Sequence, residues 1–349
     1  MIELQKNMAR ILAVDVGAGT QDILYFNPAK EPENNLKLVL PSETQLLARR
    51  ISMSRGDVLL TGETMGGGPV VMAIMEALKK GRRVVMTERS ARTVRDDLAE
   101  VREEGIEVVT EEEAEGLGLP RFETRDLDLD FLFTVAEKAG EGEPDFIGVA
   151  VQDHGFESGK SDRAFRFERI REVIERGSTL EDFLFERPPE YYTRMNAVVR
   201  QVKRRFGGGV AVIDSKFAAI AGALHGVDER PCLCVDVGNG HTMVALVDDE
   251  IEGVLEHHTH ALSKEKLIRY IKRFADGRVS NEEVFNDNGH GCYIKNAPGL
   301  KNIKRIFATG PNRRILADTE LRAEPANPFG DVMMTGPVGI VDLALKKFY

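Results

Sequence analysis

Ile11-Leu12-Ala13-Val14-Asp15-Val16-Gly17-Ala18-Gly19-Thr20 runs from an apolar stretch into a glycine turn. The pattern returns 221 positions later as Cys232-Leu233-Cys234-Val235-Asp236-Val237-Gly238-Asn239-Gly240-His241. Each Asp-Val-Gly-x-Gly follows a short apolar run and precedes another, Ile23-Leu24-Tyr25-Phe26 in the first copy and Met243 to Val247 in the second. Both read as strand, tight turn, strand. The interval is too long for stacked solenoid repeats and suits two related halves of one protein. Glycines bring backbone N–H groups against phosphate oxygens, and a carboxylate at a strand end can hold Mg²⁺. One such turn alone is equally an ordinary hairpin. The pair is what gives the phosphate reading weight.

Two other readings of these glycines do not fit. A dinucleotide fingerprint needs a third glycine opening a helix, where the chain has Asp22 and then strand-like residues. A Walker A loop needs Gly-Lys-Ser/Thr, and no glycine loop here continues that way.

The rest of the chain bounds the class. Its 349 residues carry 47 Lys and Arg against 57 Asp and Glu, a formal charge of −10. That balance argues against nucleic acid or an anionic membrane as a partner. At roughly 100–200 residues per domain, the length predicts two domains. No run approaches the roughly 18 apolar residues of a membrane helix, and Met1 to Arg10 has no signal-peptide core. A cytoplasmic protein is the expectation. Three cysteines, Cys232, Cys234 and Cys292, give neither a disulfide framework nor the closely spaced thiolates of a cubane iron–sulfur cluster.

Between the turns, a strand at 57–61 leads through Gly66-Gly67-Gly68 to apolar residues at helical spacing over 69–80. A strand at 83–87, a helix at 91–104 and a strand at 106–110 complete an α/β unit inserted at about 57–125. The acidic run at 111–115 reads as solvated surface. A buried strand at 146–151 ends in Gln152-Asp153-His154-Gly155, and a charged segment broken by Pro188-Pro189 follows. Helices are expected at 191–206, 216–224, 264–274 and 339–348. Strands are expected at 36–40, 210–213 and 305–308. The halves are expected to divide as 1–227 and 228–349, with the last helix returning toward the first half.

Secondary candidates have competing readings. Asp153 at a strand end is a candidate general base or water-positioning group, with Gln152 and His154 beside it on the substrate side; the alternative is a polar turn satisfied by backbone. Gly66-Gly67-Gly68 opens a helix and is either an anion nest or a tight strand-to-helix link. Arg82, Arg83, Arg89, Arg92 and Arg95, followed by Glu100, Glu103 and Glu104, read as a solvated mixed-charge face. His257, His258, His260, His290 and Cys292 invite a zinc reading, but their spacing is no standard structural pattern. In a strand, His257 and His258 point oppositely. Cys232 and Cys234 read as core thiols.

With these residues in view, the chain resembles the actin, Hsp70 and sugar-kinase superfamily. Asp15 to Asp22 is similar to its first phosphate motif and Cys234 to Thr242 to its second. Asp214 to Ala221 resembles the interdomain helix, Ile306 to Asn312 the adenosine motif, and 339–348 the last connecting helix. Within the superfamily the whole sequence resembles an archaeal and bacterial family whose members are sometimes labelled pyruvate formate-lyase activating enzymes.

The resemblance implies an α/β fold of two RNase H-like domains around a nucleotide cleft, with ATP and Mg²⁺ as cofactors. It assigns Asp15 and Asp236 to the metal and Asp214 to arranging metal and water. Gly17, Ala18, Gly19, Thr20 and Gln21 would hold phosphates together with Gly238, Asn239, Gly240, His241 and Thr242. Gly310, Pro311 and Asn312 would meet the adenosine. The activity implied is an ATPase or small-molecule kinase acting with an unidentified small molecule or protein. Asn239, His241, Met243 and Pro311 depart from the superfamily's commoner residues. They keep open a nucleotide-sensing or assembly protein without significant catalysis. A metal-dependent hydrolase resembling hydantoinase relatives is a further alternative.

Overall fold

The computed structural model describes residues 9–349, so most of the polar Met1–Arg10 stretch lies outside the described residues. The first half supplies β1 (Ile11–Val16), β2 (Thr20–Phe26) and β3 (Leu36–Pro41). The insertion supplies β4 (Val58–Gly62), β5 (Val84–Thr87), β6 (Glu107–Val109) and β7 (Arg121–Thr124), after which β8 (Phe146–Val151) and β9 (Gly209–Ile213) return to the first sheet. The second half supplies β10 (Cys232–Val237), β11 (His241–Val247), β12 (Ile251–His258), β13 (Gly291–Ile294), β14 (Arg305–Thr309) and β15 (Glu324–Pro325).

The two larger sheets repeat one plan. Their orders are β3-β2-β1-β8-β9 and β13-β12-β11-β10-β14-β15. In each, an antiparallel meander carries a parallel strand beside its first member, β8 on β1 and β14 on β10. This is the RNase H arrangement twice, so the fold is α/β with two actin-like halves. The sequence explains why: β8 and β10 are buried along their whole length, and their apolar runs, broken in β10 only by Asp236 near its end, suit strands covered on both faces. The inserted sheet, β6-β5-β4-β7, is wholly parallel.

Two ionic clamps hold the insertion to the body. Glu63, buried after β4, accepts from Arg200 at 2.7 Å and also pairs with Arg204 and Arg89. Asp126 takes both arms of Arg194, at 2.7 and 2.8 Å, and Arg194 also donates to the Gln152 carbonyl at 3.0 Å.

Helix Ser215–Ala223 lies against β10 and β14, while helix Thr335–Phe348 lies against β1, β2 and β8. The two cross backbone to backbone. A Cβ on Gly222 would run into the Thr335 carbonyl, and one on Gly339 into that of Ala218. One apolar cluster runs through this crossing into both sheets, joining Ile11 and Ala13 to Ala218, Cys234, Val338 and Ile340.

Several local readings change. The expected helix at 91–104 is two, Glu88–Ala91 and Leu98–Glu103, because Asp97 caps the second through the Ala99 N–H. The acidic run is a short helix, Glu111–Glu115, held by a capping box between Thr110 and Glu113. The charged segment after Gly155 contains helix Asp162–Arg176, and helix Leu129–Lys138 precedes β8. The last helix starts at Thr335, a turn earlier than expected, with Pro337 in its first turn.

Candidate functional site

The two glycine turns face each other across a cleft of about 1050 Å³. In each, the first glycine N–H closes on the carbonyl three residues on: Gly17 to Thr20 at 2.9 Å and Gly238 to His241 at 3.0 Å. Their tips meet, for a Cβ on Gly19 would lie 3.6 Å from Nδ2 of Asn239. Asn312 does not line the cleft; it braces the second turn, donating from Nδ2 to the Gly238 carbonyl at 3.0 Å. Gly310, with φ of 86°, sits where any side chain would strike Asp236. Ala18, Thr20, Gly240, His241 and Pro311 also line the cleft. Gln21 and Thr242 do not: Gln21 donates to the Pro41 carbonyl at 3.2 Å, and the Thr242 hydroxyl pairs with that of Thr259 at 3.0 Å.

The acidic positions differ sharply in their partners. Asp15 faces Asp22 across the β1–β2 pair, and Oδ1 of each is buried without a protein hydrogen-bond partner. Burial and then the nearby Asp22 charge push Asp15 up to about 8. Burial pushes Asp22 up to about 7. Close carboxylates with unused oxygens are the donor set of a hard divalent cation.

Asp236 and Asp214 are not free in this way. The Lys216 ammonium lies 2.6 Å from Oδ2 of Asp236 and donates to the His241 carbonyl at 2.8 Å. Asp214 caps helix Ser215–Ala223, accepting the Lys216 N–H at 3.0 Å, and pairs with the buried Arg166 at 2.7 Å. Arg166 also forks onto Glu256 at 2.8 and 2.9 Å. Burial opposes ionisation of Glu256, yet Arg166 outweighs it and holds that carboxyl well below its usual range. Protein cations therefore engage Asp236, expected at the metal, and Asp214, expected to arrange metal and water.

Lys216 and Arg166 were missed. Lys216 stood in plain view two residues after Asp214. Arg166 could have been found from Phe167, Ile170 and Ile174, which recur at helical spacing around it.

Asp153 is likewise engaged, by backbone N–H groups, as the polar-turn reading expects. Its Oδ2 accepts the N–H groups of Arg194 and Met195, both at 2.9 Å, and its Oδ1 that of Gly155 at 2.9 Å. It caps helix Thr193–Arg205 from outside, and burial raises it to about 6 against those bonds. Gln152 and His154 line the cleft beside it. Gly66 gives its N–H to Asp126 at 3.0 Å, while Gly66, Gly67 and Gly68 form part of the cleft wall. Arg92 and Arg95 also reach that wall, whereas Arg83 pairs outside with Glu107 at 2.8 Å.

The histidines divide. His257 turns away, its Nε2 3.3 Å from Asp287. His258 and His290 face His241, with ring centres 5.0 and 4.7 Å from it. Cys292 is buried on β13, three strands from Cys232 and Cys234 on β10. At about 4.8 Å per strand the gap is about 14 Å, so the thiols do not converge.

Among solved structures, the chain is similar to the Lmo2764 protein of Listeria monocytogenes, described as a putative N-acetylmannosamine kinase. The TM-score is 0.37 and the identity 11%, over 97% of this chain and 100% of that one. It is similar to the ethanolamine utilization protein EutJ of Carboxydothermus hydrogenoformans at TM-score 0.33 and 11% identity, over 95% and 88%. A Ppx/GppA family member from Aquifex aeolicus gives 0.26 and 12%, over 86% and 65%. These likenesses are loose, and the strand order itself carries the fold. No curated protein matches the chain. A family profile matches residues 65–315, which include strands β5 to β7 of the inserted sheet, the second glycine turn and the adenosine-like motif. The chain belongs to that family, described as "Putative pyruvate format-lyase activating enzyme (DUF1786)".

Proposed function

We propose that the cleft binds ATP with Mg²⁺ and that the protein hydrolyses the γ-phosphate or transfers it to a small molecule. One observation carries the reading: two copies of the same glycine turn meet tip to tip, and the Asp15 and Asp22 carboxylates at the first each keep one buried oxygen without a protein partner. Backbone N–H groups of the turns would cradle the phosphates, and Lys216 would add a fixed positive charge beside the second turn. Gly310 and Pro311 would border the adenosine, with Asn312 steadying the turn behind them. The net charge of −10 repels an anion at long range, so these local donors must offset it.

Mg²⁺ would be held at Asp15 with Asp22 beside it, since their unpaired oxygens fit a hard cation. Asp236, bound to Lys216, stays outside that set. When bound, the ion supplies charge neutralisation at the phosphates. Gln152 and His154 are the cleft residues that a phosphoryl acceptor would meet. The division into halves at 1–227 and 228–349 belongs to the same reading. The activase chemistry in the family's description needs three converging thiolates, and Cys232, Cys234 and Cys292 do not supply them.

Equilibrium binding of a fluorescent ATP analogue, with and without Mg²⁺, followed by a phosphate-release assay, tests this. Saturable, Mg²⁺-dependent binding that Asp15→Asn weakens is expected. No saturable binding of any purine nucleotide overturns it. A second reading, nucleotide sensing without turnover, is favoured by the engagement of Asp153, Asp214 and Asp236 by protein groups. A nucleotide-dependent change in oligomer size without phosphate release would select it.

A further inference from the structure

We propose that His154, His241 and His290 form a binding site for a divalent transition-metal ion of the zinc type, with one coordination position open to the cleft. The three come from distant points of the chain. His154 follows β8 of the first half, His241 opens β11 of the second, and His290 immediately precedes β13. Each offers one ring nitrogen within 4.8 Å of the other two. The ring centres form a compact triangle, 5.5, 5.5 and 4.7 Å on its sides. A tetrahedral ion with bonds of about 2.0–2.1 Å holds its ligand nitrogens about 3.3 Å apart. Small side-chain rotations close that gap.

His290 supplies the independent sign that something belongs here. It is 1% exposed, and neither of its ring nitrogens has a hydrogen-bond partner. A buried imidazole without a partner is rare, because its lost hydration goes uncompensated. The other two imidazoles bring no charge of their own to satisfy it. Burial first of all holds all three neutral, with His154 drawn down to about 4, His241 to about 2 and His290 to about 3. Neutral imidazole is the form that ligates a metal.

The surroundings support the same assignment. Nδ1 of His241 lies 2.6 Å from the Gln152 side-chain amide. With that amide turned, its oxygen accepts Nδ1–H and leaves Nε2 for an ion, the usual outer partner of a metal-bound histidine. His258 stands next to the triangle, 4.8 Å from His290 between ring centres, and hydrogen-bonds through Nδ1 with the Asn288 carbonyl at 2.7 Å. It borders the triad without being needed for it. A donor set of imidazoles alone favours zinc and its neighbours over Mg²⁺ or Ca²⁺. His154 and His241 line the cleft while His290 closes the site from behind. Three protein ligands with an open fourth position is the pattern of a site that takes water or a substrate oxygen. The site is distinct from Asp15 and Asp22, and does not depend on the nucleotide reading.

The test uses the full chain stripped with a chelator. Zn²⁺ is titrated against a chromophoric competitor, and Co²⁺ replaces it for spectroscopy. One ion per chain, a higher melting temperature with zinc, and the intense visible bands of tetrahedral cobalt are expected. His154→Gln and His290→Gln should each weaken zinc binding by about 100-fold or more, since even an outer-shell partner is worth about 10–100-fold. His260→Gln, an exposed histidine outside the triangle, should leave it unchanged. Failure of the wild-type chain to bind zinc overturns the proposal whatever the variants do. So does zinc binding by the folded His154→Gln and His290→Gln variants that matches the wild type.

Discussion

Gly336 stands where any larger residue would overlap the Asp15 carboxylate. The last helix of the chain therefore reaches the first glycine hairpin by lacking a side chain at that point. Gly336→Ala should displace Asp15 or the helix, at a cost of about 1–3 kcal/mol for overpacking. Urea denaturation reads the loss. Under the proposed function, Mg²⁺-dependent nucleotide binding weakens in the same variant.

The Lys216–Asp236 pair makes a second prediction. Both side chains are at most 9% exposed, so removing the cation strands a buried carboxylate. Lys216→Met should lose about 3–5 kcal/mol of stability. Adding Asp236→Asn to that variant should restore a large part of it, because the stranded charge is gone. Equal stability of the single and double variants in urea would mean that the pair is not coupled.

The clamp between Asp126 and Arg194 makes a third. Asp126→Ala leaves a largely buried guanidinium without its counter-charge and should cost up to about 3–5 kcal/mol. Gly66 also loses the acceptor of its N–H. Hydrogen exchange at Gly66 to Gly68 should accelerate, while exchange in β10 should change little.

A fourth prediction concerns pH. His225, half-buried after helix Ser215–Ala223, has its pKa raised chiefly by its hydrogen bond with Asp342 on the last helix. A raised folded pKa gives stability that is fully present below the unfolded value of about 6.5 and lost as pH climbs through the folded value. At this exposure the contribution should be below about 1 kcal/mol. Melting curves of Asp342→Asn should lie closer to wild type above pH 8 than at pH 6.

The sequence made the repeated strand and turn legible because each repeat is local: an apolar run, an Asp and two glycines. It also singled out Asp15, Asp214 and Asp236 as candidates. Their partners were another matter. Arg166 meets Glu256 across 90 residues, and no spacing rule links the two. The same holds for His154, His241 and His290, which share no strand or helix. Where local chemistry competed, it overruled composition: the Thr110–Glu113 capping box made a helix of an acidic run, and the Asp97 cap divided another.

The glycine crossing of the two long-range helices has a mechanical consequence. Helices usually lock at preferred angles because side-chain ridges of one sit in grooves of the other. Where Gly222 meets Thr335 and Gly339 meets Ala218, there are no ridges to engage. Close backbone contact therefore leaves the crossing angle to the surrounding residues: the apolar cluster around Ala218, Val338 and Ile340 and the Thr309–Thr335 hydroxyl pair at 2.8 Å set how the two halves, and with them the two hairpin tips, are held.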